Sequence, residues 1–186
     1  MVSVKEVDAA QYAPTGIHKT LWDYWCELAN STGKLVPSHA DFRPSHLASI
    51  LPTLALSEYV DENTQLIKVI GGGHDNLWPS EAAGANLFDF VEPETAKARK
   101  LIYKEVMARP CGCYSDDVAV TTSGRRIRYR GLFLPLLNKV GEPKIFLGTY
   151  EATPEGFSLE DASEEGIVSR VQHELLLINL KEPAFA

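Results

Sequence analysis

Two cysteines separated by one glycine, Cys111-Gly112-Cys113, are the first group in this sequence that could carry chemistry, as ligands of a metal ion. A structural zinc site needs a second pair of Cys or His residues at ligand spacing. The remaining cysteine, Cys26, is far away and the five histidines are dispersed. We therefore expect no metal site and interpret the pair as small residues at the entrance of a strand. An odd, scattered set of cysteines also favours free thiols in a reducing compartment.

Acid–base chemistry has a second set of candidates, Asp116, Asp117, Tyr129 and His74, which would need to converge in one pocket. No Gly-x-Ser-x-Gly, P-loop or His-Glu-x-x-His pattern occurs, so nucleophilic, phosphoryl-transfer and zinc-hydrolase templates lack their starting residues. We therefore expect that the protein is not an enzyme. An enzyme or small-molecule carrier built on a cone-like α/β sheet is kept as an alternative hypothesis.

A basic, aromatic-containing stretch at 125–130 would suit nucleic-acid binding. Alternation along a strand, however, puts three arginines on the face opposite Ile127 and Tyr129, namely Arg126, Arg128 and Arg130. The net charge of −7 also disfavours nucleic acid and anionic membranes. We expect a solvated outer face with cross-strand partners such as Asp117, and a contact surface for an acidic protein is the alternative.

The elements that must position these residues follow from hydrophobic spacing. Trp22 and Trp25 recur at helical intervals within a helix predicted over 17–30. A proline suited to a first turn opens a second short helix at 45–51. Further elements are predicted as strands at 53–60 and 65–70, a loop-rich stretch with short helical turns at 74–86, and a helix at 93–108. Gly71-Gly72-Gly73 lacks the ending of a phosphate-binding loop and is expected to allow a sharp exit from the second strand.

The strongest strand signals lie at 114–122 and 125–137, on either side of Ser123-Gly124. A two-residue loop there would make residues whose numbers sum to 247 face one another. That register places Val118 beside Tyr129 and Val120 beside Ile127 on an apolar face, and Ala119 beside Arg128 and Asp117 beside Arg130 on a charged face. A third strand is predicted at 144–151.

Several motifs accompany this order of elements. They are the Leu-Trp-x-Tyr-Trp at residues 21–25, the Pro-Ser-x-Ala-Asp-Phe-x-Pro corner at 37–44, Leu51-Pro52, the glycine-rich end of the second strand, and Leu134-Pro135-Leu136 followed by Gly148. Over residues 21–153 the sequence resembles the proteobacterial PAS-like family PAS_5. It departs from the family pattern at His39, where arginine is common, and at Arg43, where an acidic residue suited to capping the next helix is common.

The resemblance implies an α+β fold: a PAS-like five-stranded antiparallel sheet with helices on one face around a small central cavity, plus an N-terminal helical cap and a C-terminal appendage. We divide the chain into an extension (1–16), the PAS-like domain with its cap (17–153), and an acidic connector with an apolar C-terminal segment (154–186). Apolar residues at 167–180 fit either a helix or a strand covered on both faces. In either case they must pack on the domain or on a second copy of the chain.

The resemblance further implies a single-domain sensory or regulatory module that binds a small molecule or a protein partner and lacks an output domain of its own. No signal peptide or membrane span is evident, so we expect a cytoplasmic protein. Six residues are candidates for lining a ligand pocket: Trp78, Phe88, Ile102, Tyr129, Phe133 and Phe146. The sequence does not identify a ligand or cofactor. A structural dimerisation module, with the Trp22 and Trp25 helix as its interface, is the other alternative.

Overall fold

The structure of the protein is a computed structural model that describes residues 3–74, 82–156 and 167–180. In order along the chain, the main elements are β1 (Ser3–Asp8), α1 (Gly16–Thr32), β2 (Leu54–Asp61), β3 (Thr64–Ile70), α2 (Pro93–Ala108), β4 (Cys111–Thr121), β5 (Arg126–Leu136), β6 (Ile145–Pro154) and β7 (Ile167–Asn179). Single turns of 3-10 helix include His39–Asp41 and Leu87–Phe90, and a longer, kinked 3-10 segment spans Pro44–Thr53. The predicted helix at 93–108 has the bounds of α2.

Within the described residues, seven strands form one sheet in the order β1-β7-β4-β5-β6-β2-β3. The last five are the antiparallel sheet expected from the sequence, which confirms the PAS-like α+β fold. The two additional strands come from the ends of the chain. β7 pairs antiparallel with β4, and β1 pairs parallel with β7. The apolar C-terminal segment is therefore a strand, and its residues Leu177 and Ile178 are buried on opposite faces of the sheet.

The two faces of the sheet carry separate apolar cores. On one face, α1 places Leu21 and Trp25 against Leu134 of β5 and Leu147 of β6, and the 3-10 segment Pro44–Thr53 adds to the same cluster. On the other face, α2 contributes its apolar side to a cluster whose members include Ile102, Tyr103, Val106, Phe133 and Phe146. Because side chains alternate along a strand, β5 and β6 supply both cores at once. α1 is thus the N-terminal cap, and α2 lies on the cavity side.

Trp22 and Trp25 point into the core of their own chain, so their side chains offer little surface to a second copy. A partner or homodimer interface on this helix stays a prediction. The two tryptophan side chains are 7% and 1% exposed, because the apolar stripe of α1 faces the sheet. The two indoles stack with ring centroids 6.2 Å apart, and Tyr12 meets Trp22 edge to face at 5.1 Å. Both tryptophans therefore belong to the core of the chain itself.

The corner between α1 and β2 is fixed by hydrogen bonds rather than by an acidic helix cap. The backbone N–H of Arg43 donates to the Tyr24 hydroxyl at 2.8 Å, and its guanidinium donates to the carbonyls of Ala40 and Phe42. Further along, Gly71 approaches the end of the 3-10 segment so closely that a Cβ atom would overlap with the Pro52 carbonyl oxygen. The glycine run therefore permits close backbone contact where the second strand of the hairpin ends, as its expected role as a sharp exit requires.

The predicted register of the β4–β5 hairpin is wrong by one residue. The loop has three residues, Thr122 to Gly124, with Gly124 at a φ of 83° and the Thr121 N–H donating to the Arg125 carbonyl. This is the three-residue hairpin loop in which glycine takes the left-handed position. The observed partners are Asp117 with Tyr129, Val118 with Arg128, Ala119 with Ile127 and Val120 with Arg126. Asp117 consequently lies on the buried, α2-covered face and not on the charged outer face.

Candidate ligand site

Aromatic side chains gather on the face of the sheet that α2 covers. Phe133 of β5 and Tyr150 of β6 meet edge to face with centroids 5.0 Å apart. Tyr103 of α2 packs on Phe146 of β6 at 5.1 Å and on Phe88 at 6.2 Å. The sheet and α2 thereby hold these rings on both sides of a small space.

That space is a cavity of about 20 Å³ between the middle of the sheet and the segment that precedes α2. Its lining is mainly apolar: Ala55, Leu56, Ser57, Ile67, Ile70, Leu87, Tyr103, Phe133, Phe146 and Tyr150. A volume of this size admits little more than water, whereas ligand pockets usually measure about 300–1,000 Å³. A larger ligand would enter only if the surrounding rings moved.

Of the six pocket residues named from the sequence, only some line the cavity. Phe133 and Phe146 line the cavity, whereas Phe88, Ile102 and Tyr129 are buried in the same aromatic core without lining it. Trp78 lies outside the described residues. Ligand contact by these side chains stays a prediction. Sequence reasoning missed Tyr103 and Tyr150, although Tyr103 falls on the same side of α2 as Ile102 and Val106 and a helical projection would have included it.

Two glycines shape the floor of the cavity. A Cβ atom at Gly148 would lie 2.9 Å from the Phe133 ring, and one at Gly131 would lie 2.9 Å from the Tyr150 ring. Both distances are shorter than carbon atoms tolerate. Because these two positions have no side chains, the rings of Phe133 and Tyr150 can pack directly against the backbone of the neighbouring strands.

A buried ion pair adjoins the aromatic cluster. The Arg99 Nη2 of α2 donates to Asp117 Oδ2 of β4 at 2.8 Å, and the two side chains are 4% and 0% exposed. Tyr103 also hydrogen-bonds Arg99, and the Tyr150 hydroxyl is near enough to interact with its charge. Burial opposes the guanidinium charge, but Asp117, with Tyr103 and Tyr150, outweighs it and raises the pKa of Arg99. The Arg99 guanidinium therefore stays protonated beside Asp117.

The acid–base hypothesis does not match the geometry. Asp116 and Asp117 are adjacent in β4 and so point to opposite faces of the sheet. Asp117 pairs with Arg99 on the inner face, whereas Asp116 accepts hydrogen bonds from Arg128 on the outer face. Tyr129 lies beside Asp117, and the side chain of His74 is outside the described residues. The two carboxylates therefore do not converge in one pocket.

The three cysteines are free and buried. Burial raises the pKa of the Cys111 thiol to about 11 and that of Cys26 to about 12. Burial also raises the pKa of Cys113, despite the nearby Arg99 charge. All three are consequently neutral thiols near pH 7 and behave as small apolar side chains.

The arginines of β5 lie on the outer face, opposite Ile127 and Tyr129 as predicted. Each faces a carboxylate: Arg126 with Glu155, Arg128 with Asp116 and Arg130 with Glu151. Asp117, which we had expected as their partner, is on the other face. The row of arginines is therefore electrically balanced across the sheet. Separately, no helix in the described ranges is long and apolar enough to cross a membrane.

The strand order, the cap on one face and the cavity on the other define a PAS-type domain. A family model described as PAS_5, a PAS domain, matches residues 16–151, and the chain belongs to this family. A search of curated proteins gives no match.

Solved structures similar to this chain include the light-state structure of the LOV domain of the blue-light photoreceptor Aureochrome1. It has 16% identity and a TM-score of 0.36, with 63% of this chain and 91% of that one covered. The dark-state structure of the same photoreceptor domain has 15% identity and a TM-score of 0.35, with 63% and 84% covered. The structure of RsLOV has 18% identity and a TM-score of 0.36, with 61% and 70% covered.

Proposed function

We propose that this PAS domain is a cytoplasmic sensory or regulatory module, without enzymatic activity, in which a small molecule in the cavity alters the packing of α1. The observation that carries the proposal is the shared use of β5 and β6. Phe133 and Phe146 line the cavity, while Leu134 and Leu147, their neighbours in sequence, pack beneath α1. A ligand that displaces the aromatic rings would therefore move the strands on which α1 rests.

A hydrogen bond joins β5 directly to α1, the N-terminal cap. The indole Nε1–H of Trp25 donates to the carbonyl oxygen of Pro135 at 2.9 Å, in the buried centre of the interface. Pro135 stands between Leu134 and Leu136, whose side chains α1 covers. A displacement of β5 would therefore be transmitted to α1 through one hydrogen bond and two apolar contacts.

The mechanism that we propose is a shift between two populations. In one, the rings of Phe133 and Tyr150 rest on the glycines of the sheet and the cavity is small. In the other population, the two rings have moved away from the glycines and the cavity accepts an apolar ligand. The packing of α1 on the sheet changes at the same time. The ligand changes the balance only by the difference between its affinities for the two states. A protein partner that binds α1 would shift the same equilibrium from the other face of the sheet.

The cellular location in the proposal rests on the cysteines. Three free, buried thiols suit a reducing compartment, where disulfides are rare. The absence of enzymatic activity is proposed because the two candidate carboxylates, Asp117 and Asp116, are each paired with an arginine and lie on opposite faces of the sheet.

The test combines a search for a bound molecule with a variant that fills the cavity. Native mass spectrometry and an absorption spectrum of the purified protein would detect a copurifying mass or chromophore. Ala55→Leu would occupy the cavity from β2, whereas Ala108→Leu, at the exposed end of α2, is the matched control. We expect the first variant to lose the bound molecule and the second to keep it.

Hydrogen exchange supplies the second readout. Ligand binding should change the exchange of α1 amides in the unmodified protein and in Ala108→Leu, but not in Ala55→Leu. An empty protein that shows no thermal shift across a metabolite panel would contradict the proposal.

A further inference from the structure

The inner face of the sheet holds two buried hydrogen-bond donors that lack partners among the described residues. They are the Nε–H of Arg99 and the hydroxyl of Ser115, whose residues are 3% and 2% exposed. Leaving a buried donor unsatisfied costs about 1–3 kcal/mol, so such groups usually meet a water or a ligand. Two such donors on one buried face mark a place where a bound water or the polar end of a ligand would be stabilised.

Ser115 lies in the row of residues that leads to the cavity. It pairs with Gly131 of β5, and Gly131 pairs with Tyr150 of β6, so the three positions cross the sheet side by side. Since Gly131 has no side chain, the Tyr150 ring occupies its space, and Tyr150 is itself part of the cavity lining. One aromatic ring thus separates the cavity from Ser115.

Arg99 reaches the same place from α2. Its partner Asp117 follows Ser115 by two residues and so shares its face of β4, and its charge also acts on Cys113, two residues before Ser115. Arg99 therefore lies above the stretch of β4 that contains Ser115. Tyr103, one turn after Arg99 in α2, hydrogen-bonds the guanidinium and lines the cavity. Tyr103 and Tyr150 therefore lie next to both the Arg99 guanidinium and the apolar cavity.

We infer that the cavity continues past Tyr150 to Arg99 and Ser115, and that its ligand is a neutral, mainly apolar molecule with a carbonyl oxygen at one end. This inference rests on the proposed function and specifies its ligand class. The apolar body would lie against Phe133, Phe146 and Ile67, and the carbonyl would accept from the two donors. Tyr150 would leave the space over Gly131 to admit it.

The neutrality of the ligand follows from the charges at this end of the site. Arg99 is already balanced by Asp117, and both are shielded from water. A carboxylate ligand would bring a second negative charge beside Asp117, and an ammonium would bring a second positive charge beside Arg99. A carbonyl supplies the acceptor without adding charge.

The test uses two probes of nearly equal shape, 1-indanone, which has a carbonyl, and indane, which does not. We expect the unmodified protein to bind 1-indanone about tenfold more tightly than indane in NMR titrations, because a hydrogen bond to a charged donor is stronger than one between neutral groups. The Nε–H resonance of Arg99 should move downfield with 1-indanone and stay in place with indane. Ser115→Ala should reduce the preference severalfold, and Ser31→Ala, an exposed serine of α1, should leave it unchanged.

The outcomes separate the two proposals. Equal affinity for both probes, with no movement of the Arg99 resonance, would overturn the inference about the polar end and leave the cavity as a ligand site. Failure of both probes to bind at millimolar concentration would overturn this inference and count against the proposed function. An unchanged preference in Ser115→Ala, with the Arg99 resonance also unmoved, would show that the donors serve a structural water only.

Discussion

Trp25 and Pro135 are joined by a hydrogen bond of 2.9 Å between the indole Nε1–H and the proline carbonyl, across the interface of α1 and β5. The bond lies where both partners are shielded from solvent, so its loss is not repaired by water. It also fixes the rotation of α1 about its axis, because a single side chain must reach a single carbonyl on the sheet.

Trp25→Phe should lower the free energy of unfolding by about 2 kcal/mol, since it removes this bond and part of a buried ring. Urea denaturation followed by circular dichroism measures the change. The control is Tyr12→Phe, in which a buried hydroxyl without a partner among the described residues is removed. That variant should be neutral or slightly stabilised, and a loss equal to that of Trp25→Phe would contradict the assignment.

The Arg99–Asp117 pair predicts strong coupling between two variants. Asp117→Leu leaves a buried positive charge and Arg99→Met leaves a buried negative one, so each should cost about 3–5 kcal/mol. The double variant should be less destabilised than either single variant, because no uncompensated charge remains. A double-mutant cycle on unfolding free energies measures the coupling. Simple additivity would show that the pair is not maintained in solution.

His18 predicts a loss of stability on acidification. Burial in the α1–sheet interface lowers its pKa, despite Glu151, and Arg130 and Tyr114 also face it. The unfolded chain therefore binds this proton at a higher pH than the folded chain, and stability falls as the pH drops below the unfolded value of about 6.5. Denaturation midpoints between about pH 8 and pH 5.5 should decline more in the unmodified protein than in His18→Gln.

The control for the pH experiment is His39→Gln, at an exposed position in the corner before β2. This variant should follow the unmodified protein over the same pH range. If His18→Gln also follows it, protonation of His18 does not contribute.

Gly124 predicts the cost of a side chain in the β4–β5 loop. With φ at 83°, Gly124→Ala should destabilise the protein by about 1 kcal/mol, whereas Gly124→Asn should lose less, since asparagine tolerates this region better. Thermal unfolding compares the two variants. Equal losses would indicate that the loop does not use the left-handed conformation.

The same loop explains why the hairpin register could not be predicted. Gly124 is compatible with two-residue and three-residue loops, and the sequence does not distinguish them. The choice shifts every pair by one position and moves Asp117 from a predicted surface partner of arginine to the buried partner of Arg99. In contrast, α2 was predictable to the residue, because Pro93 fixes its start and regular apolar spacing fixes its inner side.

The cavity was predictable only in part. Phe133 and Phe146 could be found because large aromatic residues in strands usually face a core. The position of the Tyr150 ring beside the cavity, however, depends on Gly131 in the neighbouring strand. Such contacts across strands are set by register, which the sequence left open. β1 gave no clear signal either, since most of its residues are exposed and it is held by pairing with a strand far away in sequence, as in the pair Ser3 and Glu174.

This pairing has a consequence for the order in which the molecule assembles. β1 lies at the edge of the sheet, and its sheet neighbour in the described structure is β7, so β1 cannot pair until β7, which follows it in the chain, has been synthesised. Contacts of such long sequence separation form slowly, because a large loop must close first. The central strands, whose hairpin contacts are local in sequence, can therefore assemble first, and the joining of β1 to β7 is a late step in the formation of the sheet.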